Sequence, residues 1–363
     1  MNAMMRRVVV GSAVVSMALT MAACGKAGSS TKAAGGDSKV VGLLLPENSS
    51  SVRYESFDKP LIEAKVKGLC SECSVQYNNA NGDAATQKQQ FDTLVSQGVK
   101  VILLDAVNAK GTASWVTDAQ KKGVKVIAYD RLASGPVAAY ISFDNEKVGE
   151  LQGQALIDAM GADKAKNANI VMINGDDADP NAGMFKAGAH KVLDTGVKKI
   201  AYEQSGEWKP TVASQKIGAA ITALGKDGFQ AVYSANDGMA AAIVTALKTA
   251  GVTNVPVGGQ DAASDAIQRI LTGDQAYTIY KAYKPEAEGA ATLAVNLLKG
   301  LDVTGVATAS TTSDGAQIPS LLLTPVVVTK ANVKDTVIAD GLYKASDICT
   351  AQYADACKSA GIQ

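Results

Sequence analysis

The chain has 363 residues, 47% hydrophobic and 19% charged, which excludes a disordered polyelectrolyte and leaves room for about two domains. Its 35 basic residues balance 35 acidic ones, so there is no basic excess to neutralise phosphates, and nucleic acid is excluded as the main partner. Aromatics make up only 5%, with two tryptophans, so an aromatic residue at a strand tip stands out.

The first 23 residues read as a signal peptide. Arg6 and Arg7 form a positive start, 8–21 an apolar run, and Ala22-Ala23 a small-residue cleavage site before Cys24. The run is shorter than the roughly 20 residues a bilayer span needs. Ala-Ala-Cys resembles a bacterial lipobox, with Met21 where that pattern prefers Leu, so Cys24 is expected to carry lipid and open the mature chain. Without Arg6 and Arg7, 33 bases face 35 acids, a net charge of −2. Residues 24–37, rich in Gly, Ala, Ser and Lys without apolar periodicity, read as a lipid-anchored flexible linker. The other four cysteines form two close pairs, Cys70/Cys73 and Cys349/Cys357. Exported chains keep disulfides, and local pairing is the simplest of three connectivities.

From residue 40 onward short apolar runs alternate with segments of helical period. The pattern predicts strands over 40–45, 74–77, 101–104, 126–129, 139–143, 169–173, 199–202, 231–234 and 255–257. It predicts helices near 56–67, 84–97, 110–122, 145–160, 182–195, 211–224 and 239–250, with Gly98, Gly123, Gly196 and Gly251 as left-handed helix ends. A further helix is expected to open on Pro285 as its first residue and to run to about Lys299. Such alternation means parallel sheets covered on both faces, and there are too many βα units for one sheet. The fold class is therefore α/β, with two similar Rossmann-like lobes.

Parallel sheets of this kind bind ligands beyond their strand tips. The run 126–129 stops on Asp130-Arg131, and 139–143 ends on Asp144-Asn145. Other tips carry Arg53 and Tyr54, then Asp176, Asp177, Asp179 and Asn181, then Gly206-Glu207-Trp208, Asn236-Asp237, Gly259-Gln260-Asp261 and Lys281. Carboxylates, amides, Arg and Lys around a cleft suit neutral hydroxyl groups, which donate to the former and accept from the latter. A pyranose also has an apolar face that packs on an aromatic ring, with Trp208 and Tyr54 as the candidates. Taken singly, an Asp or Asn after a strand is more often a helix N-cap.

Ala-Tyr-Asp-Arg (128–131) and Tyr-Ile-Ser-Phe-Asp-Asn-Glu-Lys-Val-Gly-Glu-Leu-Gln (140–152) resemble the type I periplasmic sugar-binding proteins of ABC importers, in particular those for D-xylose. Further stretches that resemble this family are 233–238, 259–262, 278–281, 322–325 and 332–341. The resemblance implies a hinge with three crossings, near 140–144, 281–285 and 322–326. It makes the N-terminal lobe 38–142 plus 284–323 and the C-terminal lobe 143–283 plus 324–363. It implies sugar contacts from Arg53, Tyr54, Asp130, Arg131, Asp179, Asn181, Trp208, Asn236, Asp261 and Lys281. The Ser-rich 46–53 stretch and Pro180 depart from the family pattern, and sugar specificity is least secured there. The implied partners are a monosaccharide (D-xylose, with glucose, galactose, ribose or arabinose as alternatives), permease subunits with a separate ATPase, and the membrane through the lipid anchor. The protein itself is expected to be a monomer on the outer face of the cytoplasmic membrane, without a cofactor.

Rival chemistries find less support. His190 lies on a helical pattern, reads as solvent-facing and has no Gly-x-Ser-x-Gly nucleophile beside it. Asp177-x-Asp179-x-Asn181 imitates a calcium loop, but Ala182 and Gly188 stand where Gly and Glu are required, so no metal is expected. No phosphate-binding Gly-Lys-Ser/Thr loop occurs. The tip carboxylates sit beside Arg and Lys, which would keep them ionised and unfit as glycosidase acids, so no enzymatic activity is expected. A repressor of the same architecture would carry an N-terminal helix-turn-helix where this chain carries a signal peptide. A purely sensory role for the bound sugar remains an alternative to import.

Overall fold

A computed structural model describes residues 39–49 and 51–362. The signal peptide, Cys24 and the linker expectation lie outside them. The strands are β1 (Val40–Leu45), β2 (Ser74–Asn79), β3 (Val101–Leu104), β4 (Lys125–Tyr129), β5 (Ala139–Phe143), β6 (Asn169–Asn174), β7 (Lys199–Ser205), β8 (Ala231–Ser234), β9 (Thr278–Tyr280), β10 (Ala309–Ser313), β11 (Ala316–Leu323) and β12 (Val326–Val328). Seven of them form one sheet in the order β10-β11-β5-β4-β3-β1-β2. Only its β10–β11 hairpin is antiparallel. A second sheet runs β7-β6-β8, and β12 pairs antiparallel with β9. The chain passes between the seven-stranded sheet and the other two sheets after β5, between β9 and β10, and between β11 and β12, three times in all.

The alternation of side chains along a strand splits the first lobe's core in two. Leu43, Leu45, Val101, Leu103, Ile127, Tyr129 and Ile141 pack with Ile62, Val66 and Leu293. Leu44, Ile102, Leu104, Val126 and Ala128 face the other way, against Phe91, Leu94 and Val116. Both faces are thus covered, as a parallel sheet requires. In the second lobe the helices Asn145–Met160 and Pro180–Gly196 approach backbone to backbone. A Cβ on Gly149 would lie 2.0 Å from Phe185 O, and one on Gly188 would lie 2.0 Å from Glu146 O. Only glycine permits this, and it carries Asn181 and Phe185 inward to the cleft.

Several expectations are corrected. The strand expected over 255–257 reduces to one bridge, Val257 to Val232. Pro256 has no N–H to extend a ladder. Gly196 has no positive φ and ends its helix as an ordinary residue; its missing Cβ makes room for Ile157 Cδ1, which would lie 2.2 Å away. Gly98, Gly123 and Gly251 do take positive φ. Pro285 is the third residue of its helix, Tyr283–Leu298, still within the turn whose N–H groups need no partner. His190 is half-buried between Asp194 and Glu203, not solvent-facing. The disulfides Cys70–Cys73 and Cys349–Cys357 are both present.

Candidate functional site

The ten residues singled out from the sequence line one cavity, together with Ser51, Phe185 and Gln260. The non-atom space among them amounts to about 330 Å3, solvent at the open mouth included. Most wall residues come from the turn after a strand; Phe185 lies one turn into the helix Pro180–Gly196, and Gln260 and Asp261 follow the Val257 bridge. After β1 a π-helical turn, Tyr54–Asp58, follows Arg53. After β6, Asp179 caps the helix Pro180–Gly196: its Oδ1 accepts from Asn181 N at 2.8 Å, and Pro180 takes the first helical position. Asn236 caps the helix Asp237–Ala250 by accepting from Met239 N. Asp179 and Asn236 are therefore both N-caps and cavity residues, so the two readings of such positions do not compete here.

Asp130 is the centre of the polar network. Asn181 Nδ2 donates to its Oδ1 at 3.1 Å, Tyr54 OH donates to its Oδ2 at 3.4 Å, and Arg53 Nη1 lies 3.6 Å from Oδ2. Arg131 Nε stands 3.1 Å from Asp179 Oδ2, and Trp208 Nε1 donates to that same oxygen at 3.0 Å. Lys281 Nζ lies 3.0 Å from Asp261 Oδ1. The Asp130–Asn181 and Arg131–Asp179 contacts join residues of the two lobes directly. Asp130 (φ 57°), Trp208 (φ 54°) and Asp261 (φ 97°) occupy the left-handed region without being glycine. Each costs about 1–3 kcal/mol, and such strain clusters where side chains must be aimed.

Burial would raise the Asp130 carboxyl, but Arg53, Lys281 and Arg131 outweigh it and hold the group below the usual carboxylate range. Lys281 is raised: burial disfavours its charge, yet Asp261 and Asp130 more than compensate. Asp179 departs from the expectation of a firmly ionised group. Its burial outweighs Arg131, and its carboxyl is raised. Four buried polar atoms of cavity residues make no hydrogen bond within the protein: Arg53 Nη1, Arg131 Nε, Asn181 Oδ1 and Gln260 Oε1, of which Arg131 Nε is ion-paired with Asp179. The other three offer one donor and two acceptors, the set a hydroxylated neutral ligand uses.

Residues 41–302 match the model of the periplasmic binding protein domain. The chain belongs to this family. It is 37% identical to the D-xylose-binding periplasmic protein of Escherichia coli over 80% of this chain and 87% of that one. It is 30% identical to a multiple sugar-binding periplasmic receptor of Rhizobium radiobacter, over 86% and 93% of the two chains. Among solved structures, a carbohydrate transporter solute-binding protein from Chloroflexus aurantiacus in complex with D-glucose superposes with a TM-score of 0.76. It shares 27% identity, over 85% of this chain and 97% of that one. These relatives are named for sugar binding and transport, not for catalysis. Membership of the periplasmic binding protein family implies export to the periplasm. Among the described residues no helix is long and apolar enough to cross a membrane.

Sequence reasoning named Gln260 only as part of a tip and passed over Ser51 and Phe185. Phe185 reads as a core residue of an apolar helix face. Its distance of one helical turn from Asn181 is the signal that could have placed it. Behind the cavity lie buried acids the sequence did not mark: Asp58, Asp105 and Glu286.

Proposed function

We propose that this protein captures a single monosaccharide, D-xylose first, between its two lobes and hands it to an ABC importer. One observation carries the reading: ten polar and aromatic tip residues converge on one cavity, with unsatisfied donors and acceptors aimed where hydroxyls would lie. The two lobes, 38–142 plus 284–323 and 143–283 plus 324–363, close as a hinge, and sugar selects the closed state because only there do both sets of tips contact it. Arg53, Asp130, Arg131, Asp179, Asn181, Asn236, Asp261 and Lys281 bond the hydroxyls, while Trp208 and Tyr54 flank the ring. Wrong epimers leave buried groups unpaired at about 1–3 kcal/mol each. Cys24 tethers the monomer to the outer face of the membrane. The similarity to D-xylose-binding proteins supports xylose, and the similarity to a multiple sugar-binding receptor favours a broader monosaccharide range as the second reading.

The test is calorimetric titration of the soluble chain with D-xylose, D-glucose, D-galactose, D-ribose and L-arabinose. One-to-one binding of xylose above the others supports the first reading, comparable binding of several supports the second, and no binding refutes both.

A further inference from the structure

We propose that the first turn of the helix Tyr283–Leu298, through Glu286 and Tyr283, positions Arg53 for the sugar; this rests on the sugar-binding reading above. Arg53 is only 2% exposed, and its guanidinium divides its work. Nε donates to Asp58 Oδ2 at 2.9 Å, and Nη2 donates to Glu286 Oε2 at 2.5 Å and to Tyr129 OH at 3.4 Å. Nη1 belongs to the cavity wall and makes no hydrogen bond within the protein. A guanidinium is a rigid planar fork, so two anchored nitrogens fix the direction of the third.

Tyr283 and Glu286 are three residues apart and share a helix face. The Tyr283 ring lies under the guanidinium, 4.7 Å from Arg53 Cζ to the ring centroid. Its OH donates to the backbone oxygen of Asp261, which lies across the cleft from Arg53. This helix begins two residues after Lys281, itself in the cavity wall. One turn thus touches the guanidinium on one side of the cleft and the Asp261 backbone on the other. The π-helical turn Tyr54–Asp58 completes the arrangement, because its five-residue repeat sets Asp58 beside Arg53. A buried ion pair is poor evidence for stability, since apolar side chains of similar volume do as well. Orientation of Nη1 toward the cavity accounts for keeping these polar groups buried.

The experiment titrates full-length wild type, Glu286→Met and Glu286→Gln with whichever of the five sugars the wild type binds most tightly, and repeats Glu286→Met in an Arg53→Lys background. Glu286→Met should weaken binding at least about tenfold, while Glu286→Gln, whose amide oxygen still accepts from Nη2, should stay within about threefold. In the Arg53→Lys background the effect of Glu286→Met should shrink to less than about threefold, because the guanidinium it acts through is gone. A Glu286→Met protein that loses stability but keeps wild-type affinity overturns the proposal, as does a loss of the same size in both backgrounds. Should Glu286→Met not fold, Glu286→Asp carries the test: it keeps a carboxyl but withdraws the acceptor from Nη2, and wild-type affinity in it overturns the proposal. If the wild type binds none of the five sugars, the sugar reading falls and the proposal with it; wild-type binding with unaffected variants overturns the proposal alone.

Discussion

Gly175→Ala moves an aromatic wall of the cavity without changing any group that would touch sugar. Gly175 follows β6, and a Cβ there would lie 2.2 Å from Trp208 Cζ2, 2.4 Å from Cη2 and 2.6 Å from Cε2. Carbon atoms rest about 3.5–4.0 Å apart, so the indole must shift by about 1 Å or more. Its neighbours leave little slack. Trp208 is 9% exposed, packs edge-on to Phe185 at 6.3 Å and donates to Asp179 at 3.0 Å. Overpacking of this kind costs about 1–3 kcal/mol of stability. A displaced stacking face should weaken the preferred sugar at least about tenfold, or 1.4 kcal/mol. Gly183→Ala is the control, a helical glycine with nothing within 4 Å of the added methyl, and it should leave affinity unchanged. The assay is calorimetric titration with parallel thermal unfolding. Wild-type affinity in a destabilised Gly175→Ala would refute the stacking role of Trp208.

Other consequences follow from the same geometry. Asp130→Ala removes the acceptor for Asn181 and Tyr54 and the shared partner of Arg53 and Lys281, so sugar affinity should fall at least about tenfold by titration; an unchanged value would place the sugar elsewhere. Burial raises the Glu286 carboxyl from 4.5 to about 8 and Asp58 from 3.8 to about 6, each against the pull of Arg53. Acids raised on folding bind more protons in the native state, so this contribution is fully present below the unfolded values and lost as pH rises through 6 and then 8. Urea unfolding should therefore show a steeper loss from pH 5 to 8 in the wild type than in Glu286→Gln, and equal slopes would contradict the assignment. Replacing Cys349 and Cys357 with serine frees a short loop packed on Ile267, Ile270 and Leu271. Unfolding should become easier by about 2–3 kcal/mol while sugar affinity is retained; lost binding would mean that this segment supports the cleft.

Much of the fold was legible because its central strands are unbroken apolar runs. Val101–Leu104 and Ala231–Ser234 are buried on both faces and bounded by polar tips. The β10–β11 hairpin was not legible. Ala309–Ser313 is polar and largely exposed, an edge strand defined by its partner instead of its own pattern. The helix Ser264–Thr272 was missed between two tip motifs, although Ile267, Ile270 and Leu271 mark its buried face. In the site, Asp130, Arg131 and Asp261 were readable because they fall within family-like motifs, and Trp208 because an aromatic residue follows the strand Lys199–Ser205. Glu286 and Asp58 were not, since each lies inside a helical stretch where an acid usually faces water. Only the tertiary approach of the Tyr283–Leu298 helix to Arg53 makes them a pair.

The most direct test is a crystal structure of the protein grown with the sugar it binds most tightly. The account predicts one pyranose in the cavity, its ring against Trp208 and its hydroxyls within hydrogen-bonding distance of Arg53 Nη1, Asp130, Asn181 Oδ1 and Gln260 Oε1. Saturating sugar found at another site, with this cavity empty, would contradict it.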